Sequence, residues 1–394
     1  MIVRFETWGA WVKLEREAAL VALDREGARA LGLDAGTIWQ DVSPPAAGAP
    51  RSRPLEVHVA VTSRCAAGCE GCYLDARPDG VEPPREALEA RFDALAKAGV
   101  FTVAFGGGEP TLRDDLGELA EAARARGLTP VVTTSGLGLG PRKLRHLSRF
   151  DQVNVSYDGP SDIYASVRGF DGAAAAESAI RALAAEGTRV GVNVVLTRAS
   201  FERLDTTLRR AAALGAREAQ LLRYKPAGRA ISVDYLARRL SPEQARGIGP
   251  LLRRLARDLP ALSVRIDCAL VPFLSADPDL ASRPDELARW GIFGCEAGAA
   301  LAATRVDGRV MPCSFAGTTA LDAAGLTSEG WNRDPTLERF RSFADSPCEP
   351  CASCPLRRVC RGGCKIVAGF LGGAMGPDPE CPRVREHRGR GVDR

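Results

Sequence analysis

The sequence predicts an α/β protein, a partial (β/α)6 barrel followed by a cysteine-rich C-terminal extension. Three observations carry that expectation. Between residues 55 and 235, short β-branched runs alternate with helical runs that end at glycine, the pattern of a parallel sheet covered on both faces. At 394 residues the chain exceeds what one small core organises, so a large domain with smaller neighbours is expected. The 12 cysteines fall into two groups, three within residues 65–72 and the others all after residue 267.

Taken in order, residues 1–54 read as a separate extension and linker. Residues 3–14 and 19–31 suit a hairpin and a short helix, and 43–54 is a Pro/Ala/Gly linker. This piece either covers an edge of the barrel or docks substrate. The barrel spans residues 55–235. Its strands are expected at 55–62, 100–105, 130–134, 152–157, 190–197 and 219–224, and its helices at 84–98, 114–126, 141–148, 173–186 and 201–214, with Gly127, Gly187 and Gly215 as stops. Six such units over about 170 residues suit an incomplete barrel rather than an eightfold one. Residues 236–294 read as a helix-rich connector, with 242–259 its clearest helix and 264–271 strand-like. Residues 295–394 form the cysteine-rich domain, and the basic stretch 383–394 reads as a solvated tail.

Composition narrows the function. Lys+Arg 53 against Asp+Glu 49 gives a formal charge of +4, with the signs interspersed. That argues against nucleic acid as the main partner. No apolar run reaches the ~18 residues of a transmembrane helix, and the N-terminus lacks the sections of a secretory signal. A cytoplasmic protein with no membrane partner is expected. In a reducing compartment the cysteines read as metal ligands rather than disulfides. With only 3 histidines, any such metal is held by thiolate, which points to iron–sulfur clusters or zinc.

Cys65, Cys69 and Cys72 lie on one loop after the first barrel strand, where the loops of a parallel barrel converge. Three thiolates hold three irons of a cubane and leave the fourth open to coordinate a substrate or cofactor. The competing reading is structural zinc, which wants four ligands, and neither His58 nor a fourth cysteine is well placed to complete it. The C-x3-C-x2-C spacing resembles the signature of the radical S-adenosylmethionine superfamily. Other strand ends extend the resemblance: Gly107-Gly108-Glu109-Pro110, Thr134-Ser135-Gly136, and Ser156-Tyr157-Asp158-Gly159-Pro160. The resemblance implies a [4Fe–4S] cluster on Cys65, Cys69 and Cys72 that binds and reductively cleaves S-adenosylmethionine. It further implies that Gly107, Gly108, Glu109 and Pro110 receive the methionine amino group and that Thr134 and Ser135 lie by the ribose. Ser156 and Asp158 would touch ribose or methionine, and Arg168 the methionine carboxylate. The family's aromatic before the third cysteine is absent: Gly71 stands there, and Tyr73 follows the motif as the nearby aromatic. An external one-electron donor of the flavodoxin or ferredoxin type is also implied.

The late cysteines run Cys295, then Gly308 and Cys313, then Cys351-x2-Cys354-x5-Cys360-x3-Cys364, then Cys381. Their number and spacing suit two four-thiolate sites, with two zinc ribbons as the competing reading. The pattern resembles the SPASM extension of radical enzymes that modify peptides. It implies two auxiliary iron–sulfur clusters of the [4Fe–4S] type, one on Cys295, Cys313 and Cys364 and one on Cys351, Cys354, Cys360 and Cys381. The fourth ligand of the first is Cys348, Cys268 or an open position, with Cys268 otherwise an ordinary buried thiol.

The resemblance leads to a maturase acting on a ribosomally made peptide by cross-linking, thioether formation or epimerisation. Radical modification of a small molecule, such as a tetrapyrrole or redox-cofactor precursor, is the alternative. A sulfatase-maturating type of dehydrogenase is the nearest architecture, but the acidic residue those enzymes carry after the cysteine matched to Cys313 is here Ser314. A non-catalytic electron carrier is the reading outside enzymology, and it predicts no 5′-deoxyadenosine.

Overall fold

The computed structural model describes residues 1–394 except 15–18, 46–48, 232–233 and 393–394. The expected linker 43–54 and basic tail therefore lie partly outside the described residues. Strands β1 (Ile2–Glu6), β2 (Gly9–Leu14) and β3 (Ala19–Asp24) form an antiparallel sheet, followed by a short helix, Arg25–Ala30. Trp8 of the β1–β2 turn and Trp11 of β2 bury against Phe101, and the Arg4 guanidinium donates to the carbonyls of Pro54 and Gly99. The extension thus packs against the N-terminal ends of the barrel strands.

Strand β4 (Glu56–Thr62) sets the logic of the barrel. Successive side chains of a strand take opposite faces. Val57, Val59 and Val61 are buried beneath the flanking helices, while Glu56, His58 and Ala60 line an interior cavity. The same alternation runs through β5 (Thr102–Gly107), β6 (Thr129–Thr134), β7 (Gln152–Ser156), β8 (Val190–Leu196) and β9 (Glu218–Arg223). Phe105, Val132, Val155, Val194 and Leu221 form the helix-covered core, whereas Thr133, Asn154, Asn193 and Gln220 face the cavity. A parallel sheet usually reads apolar on both faces. Here the inner face carries polar side chains because it lines a cavity rather than a packed core.

Two further strands extend the expected six. β10 (Ser263–Ile266) pairs in parallel with β9, and β11 (Leu301–Thr304) pairs in parallel with β4. β12 (Val310–Met311) adds an antiparallel edge, giving the order β10-β9-β8-β7-β6-β5-β4-β11-β12. The barrel is open between β10 and β12, as a partial barrel requires. Helix Arg85–Lys97 is tied to the turn after β11 by the buried Arg91, which donates to the carbonyls of Arg305 and Val306.

Local chemistry accounts for the departures from expectation. The helix expected over 201–214 is two, Arg198–Glu202 and Leu204–Ala213, because Thr197 and Ser200 form a reciprocal capping box that starts the first early. The run 264–271 is strand only to Ile266. Asp267 then accepts from the Ala269 amide and caps a 3₁₀ helix, Cys268–Ala276. Helix Ser161–Arg168 was not anticipated. The basic C-terminal stretch is helix Pro382–Val392 rather than solvated tail, anchored by buried Val384 and by Arg383 on the Pro350 carbonyl. No helix among the described residues is long and apolar enough to cross a membrane.

Phe105 is 1% exposed and held between Phe92, ring centroids 5.3 Å apart, and Phe150, 5.1 Å. Phe105→Ala should destabilise the protein by about 3–5 kcal/mol, because the emptied volume is bounded by rigid rings and cannot collapse. Chemical denaturation followed by circular dichroism checks this.

Candidate active site

The loop after β4 carries Cys65, Cys69 and Cys72, all half-buried, unpaired as disulfides and facing the cavity. The Cys65 amide donates to the Arg77 carbonyl at 2.8 Å, and Gly68 turns the chain at φ +68 between the first two cysteines. Three arginines hold the loop. Arg229 donates twice to the Cys69 carbonyl, at 2.9 and 2.7 Å, and also pairs with Asp75 at 2.7 Å. Arg238 pairs with Glu70. The Arg168 Nη1 lies 3.9 Å from Cys69 Sγ. Burial pushes the Cys65 thiol above its ordinary pKa, so metal ligation there has to displace a proton.

The glycines at the end of β5 are dictated by close approach. A Cβ on Gly107, at φ +110, would lie 2.1 Å from the Thr62 carbonyl oxygen, and one on Gly108 would lie 2.1 Å from that of Arg64. The two strand-end turns therefore interlock, bringing Glu109 and Pro110 beside the cysteine loop. The buried Glu109 carboxylate is saturated from within. It accepts from Thr111 Oγ1 and Thr134 Oγ1, both at 2.8 Å, and from the Ser135 amide and Oγ at 2.7 and 2.6 Å. The hydroxyls of Thr134 and Ser135, expected beside a ribose, are committed to Glu109.

Ser156, Asp158 and Arg168 converge on the same rim. Asp158 is fully buried, accepting from the Val195 amide at 2.7 Å and from Arg168 Nε at 2.6 Å. Burial works against the Arg168 charge, but the Asp158 carboxylate outweighs it and raises the guanidinium above its ordinary value. A fixed cation thus stands beside Cys69. Tyr73 packs against Phe315 of the C-terminal extension, ring centroids 4.7 Å apart and planes tilted by 34°, and burial pushes its phenol up to about 12.

Sequence reasoning missed Tyr224. A Cβ on Gly71 would lie 2.8 Å from the Tyr224 hydroxyl and 2.9 Å from its Cε2, so this ring fills the space beside the loop. Tyr224 is itself stacked on Tyr235, centroids 5.8 Å apart. The glycine before Cys72 was the available signal, since a Gly where bulk is expected implies a neighbour occupying that volume. Lys225 was also missed. It pairs with Asp267 and sits 4.3 Å over the Phe315 ring.

The late cysteines divide between two cavities. Cys268, Cys295, Cys313 and Cys364 line the large cavity that also holds the 65–72 loop, about 1910 Å³ in all. Cys351, Cys354, Cys360 and Cys381 line a small one of about 20 Å³. Cys348 is exposed and lines neither. Left-handed backbone at Arg361, Gly362 and Gly363 turns the chain between Cys360 and Cys364, so that they face different cavities. Electrostatics follow this division. Burial pushes Cys268 well up, reinforced by Asp267 and then by Cys295. Burial takes Cys313 to about 12 beside Cys295 and Cys364, and Cys351 to about 12 beside Cys381 and Cys354. Among the described residues, no three His, Cys, Asp or Glu side chains converge as ligands of one mononuclear ion. A cubane places each thiolate on its own iron and needs no such convergence. The donor sets are free thiols throughout, which fits iron–sulfur ligation.

An open α/β barrel with a three-cysteine loop at its mouth and two further cysteine sets after the barrel defines an iron–sulfur protein with a reaction chamber. The radical SAM superfamily model matches residues 59–211. The chain is 30% identical over 356 residues to the PqqA peptide cyclase of Methylocella silvestris, covering 85% of this chain and 89% of that one. It is 30% identical over 335 residues to the mycofactocin maturase MftC of Mycolicibacterium smegmatis, covering 82% and 81%. Streptococcus suis SuiB bound to its precursor peptide SuiA shares the fold at a TM-score of 0.76 and 18% identity, over 96% of this chain and 98% of that one. The chain belongs to the radical SAM superfamily, among its SPASM-type members. It is an enzyme of that class, with a [4Fe–4S] cluster, S-adenosylmethionine and auxiliary iron–sulfur clusters as its cofactors.

The Gly71 contact is testable by a mutant cycle. Gly71→Phe forces a ring into the volume of Tyr224 and should cost roughly 1–3 kcal/mol, as overpacking does. Combining it with Tyr224→Ala should recover much of that loss, giving a clearly non-additive cycle in unfolding midpoints. Additive losses would mean that the two positions do not share the space.

Proposed function

We propose that this enzyme modifies a ribosomally made peptide by radical chemistry inside the barrel. One observation carries the reading: near-full-length similarity to relatives named for peptide maturation, at 30% identity over 85% of the chain. The chamber supports it. One continuous space of about 1910 Å³ runs from the 65–72 loop to Cys268, Cys295, Cys313 and Cys364, so a substrate inside it meets both cysteine sets.

In this reading Cys65, Cys69 and Cys72 hold the S-adenosylmethionine-binding cluster. Cys268, Cys295, Cys313 and Cys364 hold the first auxiliary cluster, and Cys351, Cys354, Cys360 and Cys381 the second. Cys268 is preferred over Cys348 because it lies on the same cavity wall as the other three, whereas Cys348 faces outward. When bound, S-adenosylmethionine supplies a 5′-deoxyadenosyl radical on one-electron reduction.

The side chains of the chain then do four things. The turn at Gly107 to Pro110 offers backbone acceptors to the methionine ammonium, with Glu109 adding negative charge while Thr134 and Ser135 hold it in place. Arg168, fixed by Asp158, offers its cation to the methionine carboxylate, and Ser156 lines the same rim. Tyr73 and Phe315 close the space between the loop and the extension. The valine-backed walls exclude bulk water from the radical. An external flavodoxin- or ferredoxin-type donor delivers the electron, and free thiols in three sets suit a cytoplasmic setting.

Product analysis and iron counting test the reading. Anaerobic incubation of the reconstituted enzyme with S-adenosylmethionine, reductant and a short peptide encoded beside its gene should give a mass-shifted peptide and 5′-deoxyadenosine. Cys65→Ala, Cys69→Ala or Cys72→Ala should abolish 5′-deoxyadenosine while keeping the auxiliary iron. Roughly twelve irons per chain are expected if every cluster is [4Fe–4S]. Cys268→Ala should lower that number and alter the cluster spectrum, and Cys348→Ala should leave both unchanged. The reverse result would reassign the fourth ligand.

A further inference from the structure

The chamber has two unlike walls. β4, β5 and β11 present Ala60, Ala104, Gly106 and Ala303 to it, whereas β7 and β9 present Gln152, Asn154, Glu218 and Gln220. A Cβ on Gly106 would meet nothing within 4 Å, so the small-residue wall fronts open space. That space follows the full length of β5, from Thr102 to Gly107 beside the cysteine loop. At about 3.3 Å per residue such a strand spans roughly 20 Å, enough for about six residues of extended peptide.

Hydrogen bonds on the opposite wall fix which atoms face the space. The buried Glu218 carboxylate lies 3.5 Å from Arg189 and 3.6 Å from Arg265, and it can only accept. The Gln152 atom that meets it at 2.9 Å is therefore Nε2, which also donates to Asn154 Oδ1 at 2.9 Å. With Oδ1 so committed, Asn154 is left with Nδ2 as a donor. The register aligns Asn154 with Gly191 of β8, and Gly191 with Glu218 of β9. A Cβ on Gly191 would lie 2.2 Å from Asn154 Oδ1, so only glycine lets this amide lean across β8. Gln220 stands two residues beyond Glu218, on the same inner face. Among the described residues, neither Asn154 Nδ2 nor either end of the Gln220 amide has a hydrogen-bond partner.

We propose that Asn154 and Gln220 hold the main chain of the substrate peptide, drawn out along the small-residue wall. The proposal rests on the peptide-maturase reading above. A neutral side-chain amide is the complement of a neutral peptide group: Asn154 Nδ2 donates to a carbonyl, and Gln220 both donates and accepts. Glu218 is paired with Arg189 and Arg265, so the amides rather than these charges are left to meet substrate. Opposite them, alanine and glycine leave width for substrate side chains. Asn154 and Gln220 thus position the chain by its backbone, and its sequence decides which carbon lies at the 65–72 loop.

The test uses reconstituted enzyme, S-adenosylmethionine, dithionite and the peptide encoded beside its gene, made with single ester bonds in place of successive amides. An ester removes an N–H and weakens the carbonyl acceptor while keeping every side chain. At one or two positions it should raise the peptide KM of wild-type enzyme about tenfold, the loss of roughly one hydrogen bond. Asn154→Asp keeps the acceptor for Gln152 but replaces the donor, and Gln220→Leu removes both groups. Each should raise KM for the all-amide peptide by about tenfold or more. The ester that costs wild-type enzyme most should cost nothing further in the variant that has lost its partner. Cleavage of S-adenosylmethionine without peptide should stay at the wild-type rate in both variants, which a general loss of folding would not allow. Wild-type turnover with a KM that no ester moves would overturn this proposal alone, as would wild-type KM in both variants. No change to any peptide by wild-type enzyme would remove the maturase reading and this proposal together.

Discussion

The buried Arg223 guanidinium is the contact on which the rest of the site depends. It ends β9, is 2% exposed, and meets Asp378 and Glu380 of the extension, each at 2.6 Å. It also donates to the Ala269 carbonyl at 2.9 Å. Each partner leads to a cysteine. Asp378 accepts from the Cys364 amide, Glu380 precedes Cys381, and Ala269 follows Cys268. On the barrel side, Arg223 leads into Tyr224, which packs on the 65–72 loop. One charge cluster thereby fixes the extension against the barrel and sets where three late cysteines stand. Burying such a cluster is expensive, and removing one member costs about 3–5 kcal/mol because the remaining charges stay uncompensated. Tyr235 and Arg239 complete the set by hydrogen-bonding Glu380 at 3.0 and 2.7 Å.

The same arrangement distributes charge through the chamber. Thiolate-ligated clusters are anionic, and cations stand near both cysteine sets of the chamber: Arg168 beside Cys69, and Lys225 among Cys268, Cys313 and Cys364. Lys225 keeps its charge because Asp267 offsets its burial. The tilted ring pair of Tyr73 and Phe315 bridges the interval between the sets. The polar inner face of the sheet lets a polar substrate occupy the chamber, and the valine face supplies the stability that this polarity does not.

Much of the fold was legible because it is local. Period-two runs marked the six central strands, and Gly127, Gly187 and Gly215 marked helix ends. β11 escaped because Leu301 to Thr304 carries only small, weakly patterned residues and becomes a strand through pairing with β4. The ligand-type cysteines were visible from spacing, but the position of Cys268 was not, since the turn after Asp267 depends on contacts with β9 and Lys225. His58 hydrogen-bonds Ser314 across 256 residues of sequence, and nothing in either neighbourhood announces the other. Tyr224 was hidden for the same reason, and only Gly71 hinted at it.

Iron-edge anomalous scattering from crystals of the reconstituted enzyme tests this account most directly. Three separate iron peaks are predicted. One should lie within Cys65, Cys69 and Cys72, one within Cys268, Cys295, Cys313 and Cys364, and one within Cys351, Cys354, Cys360 and Cys381. Iron missing from the loop at residues 65–72, or zinc in place of iron at the later sites, would contradict it.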